Sequence, residues 1–272
     1  MMKPCSVCFL FFLSVAMLSA EDGGVLFHVE GLDDVPRDIV QEQIRAGILS
    51  LPPDARPRNY SIGTEKPESG TAKKMLSLCP VRPGGEENLY AASGFLFAVS
   101  EKSELKELSP AQARSLFDGV LTAWEEKDEQ GKTVRTLPVI VCIPEGDDGR
   151  SLIPAPAGEK DRTSTQIRIR FPDGETLIRH TEENPDAVAL LPLSFPILHP
   201  NGLRILPVAG IEPNRENILN GRYPFSTLYA LTCPERSPSA LAAEKNLKSR
   251  STAKTLLRAG LIPLWLKPAA PR

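Results

Sequence analysis

The chain has 272 residues, 24% of them charged and 41% hydrophobic, with a formal net charge of −2 and a pI near 6.0. That length can bury one large or two small cores, and the nearly even charge balance excludes the basic footprint of a nucleic-acid binder. The 26 prolines are scattered among apolar segments, which fits many strand and loop ends rather than a proline-rich tail.

Residues 1–20 read as a secretory signal peptide. Lys3 supplies the positive start, Val7 to Leu18 the apolar core, and Ser19-Ala20 the small residues before Glu21-Asp22. The apolar run is short for a membrane span of roughly 20 residues, so cleavage and export to the periplasm or exterior are expected. Cys79, Cys142 and Cys233 remain after cleavage. Three thiols cannot all pair, and burial as small apolar residues is the expected fate. His28, His180 and His199 also stand apart in sequence. No metal-ligand, cofactor or Ser-His-Asp pattern emerges, so an enzyme is not expected.

In chain order, Gly24 to Val29 reads as a strand and Gly31-Leu32-Asp33-Asp34 as a turn. Val35 to Leu49 has helical spacing at Val35, Ile39, Ile44 and Leu49, with Pro36 in the first turn. Asn59 to Gly63 is a second strand. Ser69-Gly70-Thr71 precedes a helix-like Ala72 to Leu78. Gly94 to Ser100 is a strand, and Ser109-Pro110 opens a helix that buries Ala113, Leu116 and Phe117 and ends at Gly119. Leu137 to Ile143 is a fully apolar strand of the buried parallel type. Thr163 to Phe171 alternates and reads as a strand, with Asp173-Gly174 turning into a hairpin partner, Glu175 to Arg179. Arg168, Arg170 and Arg179 could make a basic face, although a solvated strand face is the commoner meaning of such a set. Ala187 to Pro192 and Leu203 to Val208 are strands. Asn214 caps a short helix that Asn220-Gly221 closes, and Thr227 to Leu231 is a strand. A last helix covers Ser239 to Ile262.

Several of these segments share one resemblance. GIEPNRENILNGRYPFSTLYAL (210–231), LSPAQARSLFDGVLTAW (108–124), GFLFAVS (94–100), the run 184–192 and AKTLLRAGLIPLW (253–265) resemble the periplasmic phosphate-binding proteins of ABC transporters. The resemblance implies an α/β, two-lobed periplasmic-binding-protein fold (type II, Venus-flytrap) with two chain crossings. Lobe one would be 21–94 plus 203–268, lobe two 95–202, and 269–272 a tail. It also implies a solute-binding protein, with a small anion such as phosphate as ligand and an ABC transporter membrane component as partner.

In that family, loops at strand ends feed helices whose free N–H groups hold the anion. The matching positions here are Gly31 and Leu32, then Ser69, Gly70 and Thr71, then Gly146, Asp147, Asp148, Gly149 and Arg150. Taken alone, Ser-Gly-Thr reads as a plain helix cap. Where the family shows hydroxyls, this chain has Asp33, Asp34, Asp147 and Asp148, and carboxylates facing a dianion repel it. Weakened anion binding is therefore expected. The alternative is a scaffold descendant that binds a protein or surface component.

Overall fold

The computed structural model describes residues 24–32, 34–57, 59–63, 72–83, 88–127, 130, 132–146, 152–153, 166–234 and 236–266. The signal-peptide reading, Asp33, Ser69 to Thr71, Asp147 to Arg150 and the tail lie outside the described residues.

One strand organises the molecule. Strand β4 (Leu89–Val99) is eleven residues long and belongs to two sheet halves. Its first half pairs antiparallel with β11 (Ser226–Thr232), which continues through β3 (Ala72–Val81) and β1 (Gly24–Val29) to the edge strand β2 (Tyr60–Gly63). Its second half pairs with β9 (Ala187–Pro192), which leads to β7 (Ile140–Pro144) and β8 (Ile167–Phe171), and on its other side with β10 (Arg204–Leu206). The chain crosses once inside β4 and returns between β10 and β11. Arg204–Leu206, taken with the first lobe on sequence, thus lies along the second half of β4.

Gly94 is where β4 changes partners. Its φ is +140°, and an added Cβ would run into the carbonyl oxygen of Phe225. A residue without a side chain is required there. Leu193 N donates to Gly94 O (3.1 Å) and Phe95 N to Phe225 O (3.1 Å), so both sheet halves are tied at this point. Tyr223, fully buried, donates its hydroxyl to Phe95 O at 3.1 Å, and burial pushes its pKa up.

Each half has its own core. Around the first, Phe27, Val29, Leu76 and Leu78 pack against Val40, Ile44 and Ile48 of α1 (Asp34–Leu49) and against α6 (Pro238–Leu247) and α7 (Arg250–Arg258). The second core joins Phe95 to Val99, Val141 to Ile143 and Ala187 to Leu191 with α2 (Pro110–Phe117) and α3 (Gly174–Glu183). The expected cap of α2 is present as a capping box. Gln112 N donates to Ser109 Oγ (3.2 Å), and Ser109 N donates to Gln112 Oε1 (2.9 Å). Asn214 caps α5 (Arg215–Leu219) in the same way, accepting from Asn217 N.

Five local expectations are corrected. The buried stripe of α1 is Val40, Ile44, Gly47 and Ile48, whereas Leu49 is 56% exposed; three- and four-residue steps keep one face, and Leu49 falls roughly 100° beyond it. Gly47 lets α6 come close, for an added Cβ would lie 2.8 Å from Ala242 O and Ala243 Cα. Ala72 to Leu78 is not helical but part of β3, paired along β1 and joined by β11 from Ser77 onward, with Leu76 and Leu78 alternating inward; tertiary pairing overrides a weak helical pattern. Glu175 to Arg179 is not a hairpin strand but part of α3, capped by Asp173, with Leu177 and Thr181 buried four apart. The run 137–143 is broken at Val139, so that β6 (Thr133–Pro138) pairs with β5 (Ala123–Lys127) in a separate ribbon. The last helix is two, because Ser249 ends the turn after α6 and caps α7 by accepting from Thr252 N. Among the described residues, no helix is long and apolar enough to cross a membrane.

Candidate functional site

A cleft of about 700 Å³ lies between the two core layers. One wall is helix flank. Asp38, Ile39 and Glu42 come from α1, and Thr255, Arg258 and Ala259 from the end of α7. Asp38 and Glu42 are one helical turn apart and share a face. The other wall is made where strands end. Pro144, Glu145 and Gly146 follow β7; Asp173 and Gly174 open α3 after β8; Ser194, Phe195 and His199 follow β9 on the short helix α4 (Phe195–Leu198). Crevices beyond strand carboxyl ends are where open α/β sheets take ligands.

Of the sequence-predicted positions, Gly146 lines this cleft, beside Glu145. Gly31 and Leu32 sit at the end of β1, but they are not among the lining residues; Leu32 is buried in the first core and Gly31, at φ +75°, turns the chain. The Gly31 carbonyl accepts from the Tyr229 hydroxyl at 2.7 Å. The segment after Ser69 to Thr71 is strand β3, so the strand-to-helix loop expected there has no helix to feed. The proposed basic face also dissolves. Arg168 donates to the carbonyls of Phe117 (2.6 Å) and Leu116 (3.3 Å), which closes the end of α2, and Arg170 lies 3.8 Å from Glu145.

The start of α3 is the described helix N-terminus in the cleft with the geometry for an anion, and the chain fills it with its own carboxylate. Asp173 Oδ1 accepts from Thr176 N (2.8 Å) and Oδ2 from the Thr176 hydroxyl (3.0 Å). These bonds hold the Asp173 carboxyl below the usual carboxylate range. An external anion would have to displace it. The described lining carries Asp38, Glu42, Glu145 and Asp173 against Arg258 and His199, so its sign is acidic.

Ser194 differs from its neighbours. It is 1% exposed, lines the cleft, and its hydroxyl has no hydrogen-bond partner among the described residues. A buried hydroxyl without a partner costs free energy that a bound solute could restore. His199 packs on Phe195 at a 30° tilt with ring centroids 4.4 Å apart, which forms the aromatic edge of this wall. Sequence reasoning missed Asp38, Glu42, Asp173 as a lining residue, Ser194, His199 and Arg258. The i, i+4 spacing of Asp38 and Glu42 and the Asp-x-x-Thr cap at 173 were the available signals.

No protein-family model and no curated protein matches the sequence. Among solved structures, a possible phosphate binding protein from Planctomyces limnophilus aligns over 89% of this chain and 93% of its own, with 13% identity and a TM-score of 0.57. An ABC-type phosphate transport receptor from Vibrio cholerae aligns over 88% of this chain and 99% of its own, with 15% identity and a TM-score of 0.47. The fold is that of a two-lobed periplasmic binding protein. In this fold β4 and the β10–β11 return carry the chain between the two sheet halves, and the 700 Å³ cleft is lined by elements packed on both cores. A second hollow of about 460 Å³ is apolar, lined by Leu96, Ile197, Ile205, Leu257, Leu264 and Leu266 among others.

Proposed function

We propose that the chain is an exported solute-binding protein, working in the manner of the substrate-binding components of ABC transporters, with anion binding weakened by its own carboxylates. Lobe one is 24–94 with the C-terminal segment from β11 onward. Lobe two is 95–202 together with Arg204–Leu206. The ligand sits between α1 and α7 on one side and the ends of β7, β8 and β9 on the other. The observation that carries this reading is Ser194, a buried hydroxyl without a described partner in the wall of the inter-lobe cleft. The acidic lining argues that the preferred solute is neutral or cationic, or an anion that arrives with a cation.

Two experiments test it. Mass spectrometry of secreted protein should find a chain beginning near Glu21. Calorimetry with phosphate and sulfate should show anion affinity rising when Asp38 and Glu42 are replaced by Asn and Gln, by about tenfold for each 1.4 kcal/mol of repulsion removed. Unchanged affinity in that double variant would show that these carboxylates do not set the sign of the cleft.

The second reading, a scaffold that binds a protein or surface component, is favoured by the apolar hollow with the exposed side chains of Ile197 and Leu266 at its rim. It separates from the first by where substitutions act. Ile197→Asp would abolish partner binding and leave solute binding unchanged.

A further inference from the structure

On the face of the first sheet opposite α1, three side chains of different chemistry converge. Strands β1 and β3 run parallel with His28 beside Ser77 and Val29 beside Leu78. Phe27, Val29, Leu76 and Leu78 therefore point into the core with α1, while His28, Glu30, Ser77 and Cys79 share the other face. His28 is 1% exposed, and its Nε2 lies 3.1 Å from Glu30 Oε2. A ligand atom of His28, a carboxylate oxygen of Glu30 and Cys79 Sγ all lie within 4.8 Å of one another. We propose that His28, Glu30 and Cys79 form a binding site for a divalent transition-metal ion of the zinc class.

The chemistry of the three groups narrows the ion. An imidazole nitrogen, a carboxylate oxygen and a thiolate are the zinc ligand types, whereas calcium and magnesium take oxygen alone. Bonds of about 2.0–2.1 Å to nitrogen and oxygen at tetrahedral angles place those two atoms roughly 3.3 Å apart, close to the 3.1 Å between His28 and Glu30. The sulfur needs only a short inward movement. Cys79 is a free thiol, and the Ser77 hydroxyl lies 2.9 Å from its sulfur, placed to donate to a thiolate. On binding, the thiol proton leaves to solvent and the sulfur becomes the metal ligand.

One further observation fits an ion there. The Glu30 side chain is 43% exposed, which leaves an approach for the ion and a fourth coordination position open to water. The ion would also pin the chain before Gly31, whose carbonyl is held by Tyr229, itself 3.1 Å from the Ser93 hydroxyl. Sequence spacing hides the set, because the sheet register brings positions 28 and 30 to position 79 across some fifty residues.

The test uses the exported chain, stripped with a chelator and titrated with Zn²⁺ against a chromogenic zinc indicator, and with Co²⁺ followed by absorbance. One Zn²⁺ per chain is expected, with a sulfur-to-cobalt charge-transfer band in the cobalt form. Cys79→Ser should remove that band, and Cys79→Ser and Glu30→Gln should each weaken zinc at least tenfold, while Cys233→Ser leaves both unchanged. Cys79 and Glu30 are partly exposed, so folding of these variants is checked by circular dichroism independently of His28. Absence of stoichiometric zinc binding, or equal affinity in Cys79→Ser and the parent chain, would overturn the proposal.

Discussion

The two walls of the cleft are built differently. The lobe-two wall is made of strand ends and a helix start, the arrangement that presents free backbone N–H groups to a ligand. The lobe-one wall is made of the flank of α1 and the end of α7, from which Asp38, Glu42, Thr255 and Arg258 line the cleft. The difference follows from one element. Where a strand-to-helix loop was expected after β2, the chain enters β3 and pairs along β1. The fold thus keeps its two crossings while the chain after β2 enters a strand and not a helix. What that wall then offers is decided by side chains such as Asp38 and Glu42.

The comparison breaks most completely at the strand both lobes share. Gly94→Ala puts a Cβ against Phe225 O at a φ of +140°. We expect a loss at the upper end for single substitutions, roughly 4 kcal/mol, read as a drop in the urea midpoint or as insoluble protein. Near-parental stability would mean that the crossing is not anchored there. Next comes lobe one alone. Gly47→Ala forces backbone of α6 away from α1 and should cost about 1–3 kcal/mol, with hydrogen exchange rising in β1, β3 and α6 but not in β7 to β9. Exchange rising equally in both lobes would argue against separate cores. Tyr223→Phe leaves the Phe95 carbonyl without its hydroxyl donor and should cost about 1–2 kcal/mol, visible in thermal unfolding.

The smallest effect concerns the lobe-two helix start. The folded pKa of Asp173 lies below its ordinary value. Its stabilisation is therefore present above the unfolded carboxylate pKa of about 3.9 and is lost as pH falls through the folded pKa. The gap in melting temperature between the parent chain and Asp173→Ala should be open at neutral pH and close in acid. A gap independent of pH would show that the charge takes no part.

The scaffold was legible wherever local chemistry decides. Ser109-Pro110, Asn214 and Gly221 mark α2 and α5 through caps and turns that a few adjacent residues determine. The walls were not legible, for two reasons. Residues 72–78 are ambiguous by pattern and become a strand because β1 pairs along them and β11 takes up their end, which no window of sequence contains. Residues 173–183 carry a helix cap, Asp173 with Thr176, that the Asp-Gly turn signal outweighed. Ser194 and Arg258 come to line one cleft only through the fold.

The most direct measurement is isothermal titration of the purified, chelator-stripped chain with phosphate. An acidic cleft whose helix start is occupied by Asp173 predicts a Kd weaker than about 1 μM, above −8.2 kcal/mol of binding free energy. Submicromolar phosphate binding without added metal would contradict it.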